Sequence, residues 1–109
     1  MPRPDRRMVK SMAGDRYEFR GELWEYDGPA AWHFVSLPTE MADDIRERLA
    51  PSASALGSIP VEATVGSTRW TTSLFPDKAR RTYLLPVRKG VRIIEDLETG
   101  DEVLVTLRI

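Results

Sequence analysis

The chain has 109 residues, with 16 Lys or Arg against 17 Asp or Glu, one histidine and no cysteine. That length holds one hydrophobic core and not two, and the lack of thiols excludes a disulfide framework, a cysteine-ligated metal site and a thiol nucleophile. A formal net charge of −1 argues against a dedicated nucleic-acid-binding domain, which is ordinarily clearly basic.

Residues 1 to about 15 carry Arg3, Arg6, Arg7 and Lys10 without periodicity or a hydrophobic stretch. They read as a flexible, solvated tail and not as a secretory signal, with contact to nucleic acid as the alternative. No apolar run approaches the roughly 20 residues that span a bilayer, so the expectation is a cytosolic protein without membrane contact. A single domain is expected over 16–109.

In "YEFRGELW", Tyr17, Phe19, Gly21 and Leu23 alternate with Glu18, Arg20, Glu22 and Trp24, the period of a half-buried strand. Asp27-Gly28-Pro29 signals a turn, and the aromatic and β-branched run from Trp32 to Leu37 predicts a second, deeper strand paired with the first. Pro38 ends that strand, and Thr39 is a suitable N-cap for a helix. Met41, Ile45 and Leu49 form one apolar stripe on it. Its acids (Glu40, Asp43, Asp44) come early and its bases (Arg46, Arg48) late, as the helix dipole favours.

A Pro/Ser/Gly connector follows over 50–58. Residues 59–74 read as a second hairpin turning at Gly66-Ser67, 75–81 as a loop, and "TYLLP" as a fifth strand ending at Pro86. Val87, Val91, Ile94 and Leu97 suggest a short helix weakened by Gly90. Gly100 suits a positive-φ turn, and "EVLVTLRI" closes the chain with Val103, Val105, Leu107 and Ile109 on one face. The predicted fold is mainly β: a small six-stranded closed or split β-barrel with one or two short helices. Leu37-Pro38 and Leu85-Pro86 each end a strand ahead of a helix. This frame predicts two related halves that interlock and leave no long free edge.

From Tyr17 to Ile109 the chain resembles a bacterial and archaeal family known as domain of unknown function 1905. The resemblance rests on "YEFRGELW", "WHFVSLP", "VEATVGSTRWTTSLFP" and "GDEVLVTL" in that order. It implies a small barrel similar to the swapped-hairpin barrels of bacterial transition-state regulators and antitoxins. The family has no established reaction, so it carries over no catalytic residue.

The residues themselves supply no catalytic constellation. His33 stands alone, which leaves no ligand set for a metal, and no serine and acid are spaced to make a relay with it. Asp96 with Asp101, or Glu98 with Glu102, read as solvated turn groups and not as a glycosidase pair. No phosphate-cradling glycine loop occurs. The expectation is a non-enzymatic protein with no catalytic residue, no metal and no cofactor.

The charge pattern is more distinctive. Over 77–92, Lys78, Arg80, Arg81, Arg88, Lys89 and Arg92 face one acid, Asp77, whereas 93–102 holds Glu95, Asp96, Glu98, Asp101 and Glu102 without a base. The two patches either neutralise each other through surface ion pairs, the plainer reading, or the bases form an anion site. Trp70, among Arg69, Thr71, Thr72 and Ser73, either packs in the core, again the plainer reading, or stacks a flat ligand. The candidate ligand-binding set is Arg69, Trp70, Thr72, Arg80, Arg81, Arg88 and Lys89. The expected partner of this monomer is a small anionic or peptide-like ligand, or a protein. The alternative is a DNA-binding regulator related to the swapped-hairpin barrels.

Overall fold

The computed structural model describes residues 16–28, 31–49 and 57–109. The tail expected over 1–15 and most of the 50–58 connector lie outside the described residues. In chain order the elements are β1 (Arg16–Glu25), β2 (His33–Ser36), α1 (Thr39–Leu49), β3 (Ile59–Val65), β4 (Thr68–Asp77), β5 (Thr82–Pro86), α2 (Lys89–Ile94) and β6 (Glu102–Arg108). The strands join in the order β1-β2-β5-β4-β3-β6 and close on β1, every pair antiparallel. The described residues therefore form a closed six-stranded barrel with two helices, in which every strand has a neighbouring strand on both sides.

Alternation decides what fills the barrel. Tyr17, Phe19 and Leu23 of β1 are buried, as are Val61, Ala63 and Val65 of β3 and Val103, Val105 and Leu107 of β6, while their neighbours along the strand turn outwards. Helix α1 adds Met41, Ala42 and Ile45, all fully buried, and Leu49 packs against the same core. A polar clasp holds this helix to β1. The Tyr17 hydroxyl donates to Asp44 Oδ2 at 2.7 Å and accepts from Arg48 Nη1 at 2.6 Å.

The expected duplication is visible in the pairing itself. β1 and β4 both have 10 residues, and β3 and β6 both have 7. Residues 16–22 of β1 pair with β6 and residues 23–25 with β2; residues 68–74 of β4 pair with β3 and residues 75–77 with β5. Register agrees as well. Arg16 opens β1 opposite Arg108, the last residue of β6, as Thr68 opens β4 opposite Val65, the last residue of β3. Exchanging β1, β2, β3 with β4, β5, β6 thus leaves the network unchanged, with the β2–β5 and β3–β6 seams on the pseudo-twofold axis. Close approach near the β2 seam requires a glycine: a Cβ on Gly21 would lie 2.7 Å from Val35 Cγ1.

Four local expectations change. Residues 75–77 are not loop: Phe75, Pro76 and Asp77 continue β4 and pair with Leu84, Tyr83 and Thr82. Pro76 hides this because a proline ordinarily demotes a strand. The turn is confined to 78–81, with Arg81 at φ 60°. Helix α2 is only 6 residues long and buries Val91 alone, while Ile94 is 69% exposed. Finally, Thr39 is the first helical residue, with the Pro38 carbonyl accepting from Ala42 N–H at 2.9 Å. The corresponding carbonyl ahead of α2 belongs to Arg88, which accepts from Arg92 N–H at 3.1 Å. Pro86 remains inside β5 opposite Phe34, so the two Leu-Pro steps are not equivalent.

Candidate functional site

On the outer surface, where β1, β2, β5 and β4 lie side by side, the outward positions are aromatic where solvated polar residues are usual. Cross-strand register places Trp24 beside Phe34, and Phe75 beside Leu84. The indole N–H of Trp24 donates to Ser36 Oγ at 2.9 Å, so the ring lies against the sheet without an orphan donor. Phe34 is the hub of the cluster, with its ring centroid 5.3 Å from Trp24, 6.5 Å from Tyr26 and 6.0 Å from Trp32, the last nearly parallel at 14°. Tyr26, Trp32 and Phe75 remain 53%, 50% and 43% exposed.

These rings line a hollow of about 530 Å³ whose rim carries Asp77, Lys78 and Arg80. Arg80 is locked by its neighbours. Its Nη1 donates to Asp77 Oδ2 at 2.6 Å, and its guanidinium carbon sits 4.8 Å from the centre of a Trp24 ring. That hydrogen bond, more than any other contact, holds the Asp77 carboxyl below its ordinary pKa.

A second hollow, about 390 Å³, shares Trp32 and Phe75 with the first. Its lining includes His33, Trp70, Thr72, Arg88, Lys89 and Arg92, and no carboxylate. The β5–α2 junction brings the cations there. Val87 N–H donates to the His33 carbonyl at 2.9 Å, seating the junction beside β2. Arg88 Nη2 donates to the Thr71 carbonyl at 3.4 Å, and Arg92 Nε to the Val87 carbonyl at 3.2 Å. Trp70, 9% exposed, belongs to the core, the plainer of its two readings, and also lines this hollow.

Of the residues singled out in the sequence, Trp70, Thr72, Arg88 and Lys89 meet in the second hollow, and Arg80 sits on the rim of the first. Arg81 is exposed in the 78–81 turn and lines neither. Arg69 faces away: strand alternation turns it outwards beside Arg16, Thr64 and Arg108, around a separate polar hollow of about 500 Å³. The aromatic cluster was missed. Its signal was Trp24, a large apolar residue on the otherwise charged side of an alternating strand.

The acidic stretch does not neutralise the basic one. Among the described residues the ion pairs are Arg46–Asp43, Arg48–Asp44, Arg80–Asp77 and Arg108–Glu62, and none joins the two patches. Glu95 instead accepts from the Thr68 hydroxyl at 2.5 Å, and Asp101 Oδ2 accepts from Glu98 N–H at 2.8 Å. Among the described residues no group of three or more His, Asp or Glu converges as a metal site, and no helix is long and apolar enough to cross a membrane.

No curated protein matches the chain. A family model described as a domain of unknown function, DUF1905, matches residues 19–107, from β1 through β6. With nearly the whole barrel inside that match, the chain belongs to the DUF1905 family.

Proposed function

We propose that this barrel is a cytosolic, non-enzymatic module that binds a small anion carrying a flat apolar group, seated across the two joined hollows. One observation carries the reading: an aromatic hollow and a cationic hollow with no acid in its lining share the walls Trp32 and Phe75. An anion in the second hollow meets Arg88, Lys89 and Arg92, and charge-assisted hydrogen bonds to such groups are roughly twice as strong as neutral ones. The attached ring lies on Trp32 or Phe75, whose faces attract aromatic partners in offset or edge-on contact. The volumes also suit a small ligand, since such sites typically enclose about 300–1,000 Å³. Because every described strand has neighbours on both sides within one chain, no terminal strand is offered to a second copy, which supports a monomer.

Benzoate and benzamide, alike in shape and different in charge, test this. Benzoate should raise the melting temperature and perturb tryptophan fluorescence, with benzamide nearly inert. Lys89→Glu should remove the benzoate response. An equal response to benzamide, or a response that survives Lys89→Glu, would overturn the proposal.

A further inference from the structure

Building on that reading, we infer that the ligand class is single-stranded nucleic acid, with bases stacked on Trp32 and Phe75 and phosphates held by the cations on either side. A ligand with one charged group would need cations on one side of the rings only. Here they occur on both. Lys78 and Arg80 rim the aromatic hollow, and Arg88, Lys89 and Arg92 line the adjoining one, with the shared rings between. A repeating ligand that alternates an anion with a flat ring uses both groups at once, and a single strand is such a ligand.

The ring geometry agrees. Trp32 stacks on Phe34, at 6.0 Å and 14°, and is still half exposed, so part of its surface remains available to a ligand. A solvent-exposed group of Tyr26, Trp32 and Phe75 on one small barrel marks an interaction surface. Stacking on such rings tolerates any base because every base presents a π-face. Paired bases inside a duplex do not present those faces. An added peptide strand, the other common extended ligand, docks on the outer edge of a terminal strand, and in the closed order no described strand is terminal. The chain's net charge of −1 is no obstacle, because the two hollows together hold five cations against Asp77, itself paired to Arg80.

The test is fluorescence anisotropy of a labelled oligothymidylate on the full chain, beside a duplex of equal length and polyglutamate as competitor. The single strand should bind, and an about fourfold rise in salt should weaken it roughly 10- to 20-fold, as for about three neutralised phosphates. Trp32→Ala should weaken binding about tenfold through lost stacking. Lys89→Glu, a change at an exposed residue outside the core, should weaken it and flatten the salt dependence. Equal binding of the duplex, equal competition by polyglutamate, or undiminished binding by Trp32→Ala would overturn the inference. If benzoate binds and the oligonucleotide does not, the inference fails while the proposed anion site stands; if neither binds, both fail.

Discussion

Replacing Tyr17 by Phe removes one oxygen atom and tests how α1 is held to the barrel. The ring is 1% exposed and keeps its packing in the variant. The hydroxyl's bonds to Asp44 (2.7 Å) and Arg48 (2.6 Å) are lost together. Hydrogen bonds to charged groups contribute about 1.5–3 kcal/mol when buried. Here the Asp44 and Arg48 side chains are 47% and 42% exposed and 3.6 Å apart, so water and their own ion pair replace much of what is lost. Each bond is therefore discounted to the low end, about 0.5–1 kcal/mol, for a total of roughly 1–2 kcal/mol. For a domain of this size that lowers the melting temperature by about 5–10 °C.

A second readout comes from alkaline pH. Burial first, and then the hydrogen bond to Asp44, push the Tyr17 phenol from 10.0 up to about 12. The folded state holds that proton longer than the unfolded chain. Its contribution is therefore complete below pH 10 and lost as pH rises from 10 to about 12. Denaturant melts across that window should show Tyr17→Phe losing less stability than the parent protein. A variant as stable as the parent at neutral pH, with the same alkaline decline, would refute the clasp.

Three further outcomes follow from the packing. Leu85→Ala, at a fully buried position opposite Val35 on the β2–β5 seam, should cost about 2–5 kcal/mol in urea denaturation, and an unchanged midpoint would remove that seam from the core. Gly66→Ala combines a positive φ of 59° with a Cβ that overlaps the Glu95 carboxylate. It should destabilise by about 1–3 kcal/mol in urea denaturation through backbone strain, and because the overlapped carboxylate ends a flexible side chain that can swing aside, Glu95→Ala in the same background should recover little of that loss. Arg80→Ala removes the hydrogen bond that depresses Asp77. That stabilisation is present above the ordinary carboxylate pKa of about 4 and lost as pH falls below it. The variant should show a shallower acid limb in thermal melts and, because Arg80 is 60% exposed, a loss of at most about 1 kcal/mol at neutral pH.

Much of the barrel was legible in short stretches of sequence. Alternation in "YEFRGELW" and "EVLVTLRI" picked out Tyr17, Phe19, Leu23, Val103, Val105 and Leu107 as inward residues, and all are buried. The α1 stripe and the Gly66 and Gly100 turns were equally plain, and both glycines have positive φ. The same alternation separates Arg69 from Trp70, neighbours that face opposite sides of β4. Grouping them by closeness along the chain joined two residues that line different hollows. The end of β4 stayed hidden because Pro76 breaks the local strand pattern, and only pairing with β5 holds those residues extended.

What the sequence determined alone is therefore the order of elements and the inward faces of the alternating strands and of α1, because period, turn chemistry and side-chain sterics act within a few residues. Only the tertiary structure decided that Trp32 and Phe75 would stand as common walls between an aromatic hollow and a cationic one. Trp32 directly precedes β2 and Phe75 lies in β4, so the two are far apart in sequence. Their meeting depends on how β2, β5 and β4 register when the barrel closes, and that register is set by the whole core at once.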